Sequence, residues 1–328
     1  MSCLTALFAP VSREFDIFLG FSWRDWSASI IPGSIFAVGA MRYANLPLLS
    51  IPFKYLLLLS WLTPYVYFFN LSNQITGVDE DRINKPDRHI PAGTVTLEGA
   101  KWRWVIALSA FLLVAAFKPN LLPETIGWVL TVAFLCLTSV GSHWFGKNTV
   151  AMATGTWSLL NASWKVIVPL TPRSQRFVIA VSAWAGLLTQ IQDLRDIKGD
   201  AAVGRKTMPL VFGERATRWI ITLLLLPASF WVLWIGDIVP IAPKTLTAVH
   251  LFLGYRVLKA RGSRYDHKTY MVSPLYSASF SDQSKHEQIY TYVFCLILMF
   301  TAVDNAERDL TKTLSALGMQ MMESVSTM

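Results

Sequence analysis

Charge is what this chain lacks most. Only 15% of its 328 residues are Asp, Glu, Lys or Arg, against about 25% in an average soluble domain, while 53% are hydrophobic. That shortage excludes a large soluble domain and leaves several apolar runs near the roughly 20 residues needed to cross a bilayer. Cysteine is sparse as well. Cys3, Cys136 and Cys295 are the full set, the last two inside apolar runs, which argues against a disulfide framework or a Cys/His metal centre. The histidines His89, His143, His250, His267 and His286 show no ligand spacing. The opening stretch MSCLTALFAPVSREFDIFLG lacks the basic start of a secretory signal, so the first span itself is expected to direct insertion. The net charge of +8 does not point to nucleic acid. Its bases lie in loops between apolar runs, where they mark cytosolic connections and anionic headgroups.

What is present is a series of apolar segments. After an amphipathic lead-in at 1–22, spans are expected at about 26–45, 52–70, 104–117, 125–141, 150–170, 177–192, 219–235, 241–258 and 289–303. The polar stretch 259–285 is expected on the surface, and a mixed tail closes the chain. The fold class is therefore all-α: a multi-pass membrane protein of about nine helices. The even-numbered connections are rich in Lys and Arg, whereas the odd-numbered ones hold little beyond Arg42, Lys54, Lys118, Arg173, Arg176 and Lys244. The positive-inside rule places the even connections in the cytosol.

Two polar stretches interrupt this pattern, each at the end of an even-numbered span. The first, FNLSNQITGVDEDRINKPDRHIPAG, carries Asn73, Asp79, Glu80, Asp81 and Asn84, followed by Lys85 and Arg88. On a helix, Asn73, Gly77, Asp81 and Asn84 would share one face. The second, TQIQDLRDIKGDAAVGRKTMPLVFG, places Asp193, Asp196 and Asp200 three and then four residues apart, with Arg205 and Lys206 behind them. Carboxylate and amide oxygens suit a hard cation such as Mg²⁺, and trailing bases suit the phosphates it bridges. Both stretches open on the same side, so together they predict a metal–diphosphate site. Their common order also suggests a single domain, 1–328, of two pseudo-repeats (about 23–141 and 150–258) plus a ninth helix and tail.

These motifs resemble the UbiA superfamily of intramembrane prenyltransferases and terpene cyclases. Asn73 and Asp81 match the ends of its NDxxDxxxD motif, KPDRHIPAG its usual trailing segment, and QDLRDIKGDAAVGRKTMPLVFG its second motif. Lys147–Asn148 resembles its basic residue between the fourth and fifth spans. Gln74 and Gly77 stand where aromatic prenyltransferases carry Asp, and His89 replaces a proline. That variant looks most similar to the cyclase branch, such as the fungal sesquiterpene cyclase of fumagillin biosynthesis. The resemblance implies a nine-helix bundle with a cytosolic polar cap over a lipid-facing cavity.

The expected chemistry follows. Asn73, Asp79, Glu80, Asp81, Asp193, Asp196 and Asp200 would hold Mg²⁺, with Asn73, Asp81 and the three second-motif aspartates as the catalytic set. Lys85, Arg88, Lys147, Arg24, Arg195 and Lys206 would bind diphosphate. Trp61, Tyr65, Phe69, Trp157 and Trp184 would shield and stabilise an allylic cation. The reaction expected is cyclisation of a linear prenyl diphosphate, farnesyl diphosphate favoured, with release of diphosphate; prenyl transfer to an aromatic or other acceptor is the alternative. A cation transporter would place its acids mid-span rather than at span ends. The partners expected are the prenyl diphosphate and the lipid bilayer, with no nucleic acid, and in a eukaryote the membrane would be that of the endoplasmic reticulum. The oligomeric state stays open.

Overall fold

Thr96 and Thr171 show how the helices of this protein begin. Each side-chain oxygen accepts a backbone N–H from the first turn, of Gly99 and of Ser174 respectively, and Pro172 follows Thr171 where its missing N–H costs nothing. The computed structural model describes residues 3–270 and 290–304, and among these no β-strand occurs. The helices are α1 Cys3–Ser22, α2 Ile30–Tyr43, α3 Ile51–Thr76, α4 Val78–Asn84, α5 Leu97–Phe117, α6 Leu122–Leu137, α7 Ala151–Lys165 and α8 Pro172–Leu188. They continue with α9 Asp193–Ala202, α10 Met208–Phe212, α11 Glu214–Ile220, α12 Leu226–Ile235, α13 Pro243–Leu258, α14 Ser263–Tyr270 and α15 Tyr290–Asp304.

Every expected span overlaps helix, yet among the described residues four helical stretches are long and apolar enough to cross a bilayer by themselves. They are Leu97–Phe117, Pro119–Leu137, Pro172–Ala202 and Glu214–Ile235. The others are short or carry polar groups into the bundle. Pro172–Ala202 is the axis: 78% of its apolar stretch is buried, against 22% for α5. Helix α5 and helix α12 therefore present their Leu, Ile and Trp side chains outward, as a lipid-facing layer does.

Two departures from expectation shape the site. The second span does not stop at residue 70: α3, 26 residues in all, runs on to Thr76 and delivers the first motif directly. At Gly77 the backbone leaves helical geometry, so α4 is a separate short helix rather than a continuation of the same face. The stretch expected on the surface from 259 folds back instead. Helix α14 packs on α9 and is tied down by Asp266, whose carboxylate accepts from the buried Arg218 of α11 at 2.7 Å. Residues 271–285, His286 and the tail from 305 lie outside the described residues.

Candidate active site

Helix α3 ends at Thr76 and α8 at Leu188, and each is followed by a short polar helix, α4 and α9, that packs against the other. Gly199 permits that contact. A Cβ there would lie 2.1 Å from Nδ2 of Asn84 and 2.3 Å from its Cγ. We expect Gly199→Ala to force α4 from α9 and to lower turnover on the order of 10²-fold, as misplacements of an ångström do. Steady-state kinetics checks this.

A cavity of about 1330 Å³ lies beneath this pair. Its polar wall is mixed: Arg24, Lys85, Arg88, Lys147, Arg195 and Arg205 line it, and so do Asn73 and the carboxylates Asp25, Asp79, Glu80, Asp87 and Asp196. Asp81, Asp193 and Asp200 do not. They are buried one layer behind, each holding one of those cations. Asp81 accepts both oxygens' worth of hydrogen bonds from Arg88 Nη1, at 2.9 and 2.7 Å, with Lys85 Nζ 3.8 Å away. Asp193 accepts from Lys147 Nζ at 3.0 Å and from Asn148 Nδ2 at 2.6 Å. Lys147 also lies 3.7 Å from Asp200. Asp196 is paired with its neighbour Arg195 at 2.6 Å.

Arg205 joins the two motifs. Its Nη1 lies 2.6 Å from Glu80 Oε2 and 3.3 Å from Asp200 Oδ1. Sequence reasoning chose Lys206 as the diphosphate ligand at this point, whereas the structure puts its neighbour Arg205 on the cavity wall. Lys206 is exposed and absent from the cavity wall. Its backbone pairs with Ser142 and Trp144, and in such extended backbone successive side chains point opposite ways. Gly204, at φ +69°, sets that turn.

The remaining assignments divide similarly. Arg24 lines the cavity but is ion-paired with Asp87. Asp79 is largely exposed and paired with Arg82 at 2.7 Å. Tyr65 and Phe69 line the cavity, whereas Trp61, Trp157 and Trp184 are not on its wall. Trp61 stacks behind Tyr65 and donates to Thr125 Oγ1 at 2.9 Å. Trp184 stacks behind Tyr290 and Phe294 and donates to His250 Nε2 at 2.9 Å. The rings in front, Trp128, Tyr290 and Phe294, were missed, as was α14, which contributes Arg264, His267 and Tyr270 to the wall. Nothing in the spacing of those residues distinguishes them from ordinary lipid-facing aromatics.

Two lysines titrate unusually. Burial, reinforced by Arg88, pulls Lys85 down to about 8. Burial acts on Lys147 in the same sense, but Asp193 and Asp200 outweigh it and hold that ammonium above its ordinary value. Lys85 therefore loses its charge as pH rises through about 8 while Lys147 keeps its own. A KM for a diphosphate substrate should rise roughly tenfold across that step, the worth of one hydrogen bond to a charged group, and Lys85→Arg should flatten the profile.

The match of chain to family rests on the whole bundle. The UbiA prenyltransferase family profile covers residues 33–278. This chain belongs to that family. Among UbiA relatives it is 62% identical over 299 residues to the diterpene cyclase eriG of Hericium erinaceus, spanning 91% of this chain and 92% of that one. It is 58% identical to the polyprenyl transferase eriF of the same organism, over 91% of this chain and 98% of the other. A UbiA homologue from Archaeoglobus fulgidus, solved bound to GPP and Mg²⁺, shares the fold with a TM-score of 0.57 at 13% identity, covering 89% of this chain and 99% of its own. The protein is thus a membrane-embedded enzyme of the UbiA type, with relatives that include both terpene cyclases and prenyltransferases.

Proposed function

We propose that this protein cyclises a linear prenyl diphosphate inside the bilayer. The observation that carries the reading is the cavity itself, lined both by the charged residues of the two motifs and by aromatic rings. Arg88, Lys147 and Arg205, held by buried aspartates, would receive the diphosphate oxygens and position the allylic carbon over the apolar floor. Tyr65, Phe69, Trp128, Tyr290 and Phe294 would keep water from the cation formed when diphosphate leaves and stabilise it through their ring faces. Attack by the chain's own distal double bond closes the ring, and the departing diphosphate, still held by the cations, takes the final proton.

Mg²⁺ fits the donor set, which consists of hard oxygens. Asp200 Oδ2 and Gln74 Oε1 are buried without hydrogen-bond partners. Among the described residues no three carboxylate, His or Cys groups converge as a ready metal cage. The carboxylates are engaged with cations instead, and would be released to the metal as those cations turn to phosphate. Asn73, Glu80 and Asp81 from the first motif and Asp193, Asp196 and Asp200 from the second would hold it. Bound there, Mg²⁺ supplies Lewis-acid neutralisation of the leaving group.

The name of the diterpene cyclase relative favours geranylgeranyl diphosphate over the farnesyl diphosphate that the sequence alone favoured. The bundle would cross the membrane nine times, as two pseudo-repeats and a final helix, with the cationic mouth in the cytosol; the membrane would be that of the endoplasmic reticulum. Incubation of the purified protein with geranylgeranyl diphosphate and Mg²⁺ alone, followed by gas chromatography, tests the reading. A cyclic hydrocarbon is expected; farnesyl diphosphate run in parallel decides chain length. The polyprenyl transferase relative supports the second reading, and turnover that requires an added acceptor would establish it.

A further inference from the structure

Three lysines that take no part in this site meet at the other end of the bundle. Lys54 lies in the first turn of α3, Lys118 directly follows α5, and Lys165 ends α7. All three line a second cavity of about 430 Å³, together with Leu57, Asn120 and the segment 166–170. From Lys54 to the motif end of α3 at Thr76 the helix rises roughly 33 Å, so this cavity is a membrane's thickness from the cationic mouth. Lys54 and Lys118 are two of the few bases in the otherwise charge-poor odd connections. Their convergence from separate connections is a property of the fold.

Among the described residues no Asp or Glu lines the cavity. Lys165 is neutralised from behind by Glu124, with both carboxylate oxygens 3.0 Å from its Nζ. Among the described residues Lys54 makes only long contacts, 3.5 Å each, to the carbonyls of Val166 and Ile167. Lys118 is exposed, with no ion pair among the described residues. Two positive charges therefore face the cavity without a counter-charge among the described residues. Beside them on the same helices stand exposed apolar side chains: Phe53, Leu56 and Phe117, at 70%, 65% and 75% exposure. Lysines at span ends often act as plain interfacial anchors, but anchors need neither a shared cavity nor a shared lack of acids.

We propose that this second cavity binds the phosphate headgroup of an anionic membrane phospholipid, with Lys54 and Lys118 on the phosphate and the acyl chains along Phe53, Leu56 and Phe117. Basic pockets between membrane helices on the cytoplasmic side take such headgroups; the same charge complementarity applies at this face, and the apolar flanks favour a lipid over a soluble anion.

Native mass spectrometry of the delipidated full-length protein, titrated with phosphatidylglycerol or with phosphatidylcholine, tests this. The wild type should retain one phosphatidylglycerol at concentrations about tenfold below those needed for phosphatidylcholine. Lys118→Glu, a change at an exposed position, should abolish that preference while leaving the unfolding temperature and turnover unchanged; Lys54→Gln should weaken it. Equal retention of the two lipids, or a preference that survives both substitutions, would reduce the lysines to anchors and overturn the proposal. Displacement of phosphatidylglycerol by millimolar inorganic phosphate would overturn it too, by making a soluble anion the ligand.

Discussion

Asp200→Ala should abolish turnover, by ~10²–10³-fold or more, the effect of removing one preorganised electrostatic contact, without unfolding the protein. The structure explains why the two effects separate. Asp200 holds two cations, Arg205 at 3.3 Å and Lys147 at 3.7 Å, but neither depends on it. Arg205 keeps Glu80 at 2.6 Å, and Lys147 keeps Asp193 at 3.0 Å. No buried cation is therefore stranded. What disappears is the unpartnered oxygen Oδ2 and the alignment of two phosphate-binding groups. Asp200→Asn keeps the shape and removes the charge, so a comparable loss there would assign the effect to the carboxylate. Wild-type turnover in either variant, measured with the unfolding temperature, would remove Asp200 from the site.

Lys147→Met should do the reverse and strike stability first. Its ammonium is the shared partner of Asp193 and Asp200, both fully buried. Removing one member of a buried charge cluster costs about 3–5 kcal/mol, because the remaining charges have neither partner nor water. Asn148 at Asp193 and Arg205, 3.3 Å from Asp200, soften the loss without replacing the shared charge. A large fall in unfolding temperature is expected, along with loss of activity. Adding Asp193→Asn and Asp200→Asn to Lys147→Met should recover most of the stability and none of the activity. If the triple variant stays as unstable as the single one, charge burial is not what Lys147 relieves, since a coupling energy exists only where the groups interact.

Legibility differed sharply between the acids and their surroundings. Asp193, Asp196 and Asp200 could be read from offsets of three and four residues, because a helix turns those offsets into one face. The first motif was harder. Gly77 breaks the helix, and the shared face expected for Asn73, Gly77, Asp81 and Asn84 became two helices joined by a bend. Arg205 and Lys206 are equal as letters, and only the pairing of Lys206 with Ser142 and Trp144 decides which points inward. The aromatics failed for a related reason. Trp61 and Trp184 stand one layer behind Tyr65, Tyr290 and Phe294, and depth within a bundle leaves no trace in a run of uniformly apolar residues.

The sequence by itself determined the solvent, the helical class and the two acidic stretches. Those follow from local quantities: apolar length against bilayer thickness, the period of a helix, and the scarcity of charge elsewhere. Only the tertiary structure decided that Arg88, Lys147 and Arg205 front the cavity while Asp81, Asp193 and Asp200 stand behind them. It also bent α14 over the mouth and gathered Lys54, Lys118 and Lys165 at the far end. Those arrangements rest on pairings such as Arg205 with Glu80 or Arg218 with Asp266, separated by 125 and 48 residues along the chain. A buried charge must find its partner wherever packing brings one, and no local pattern encodes where that is.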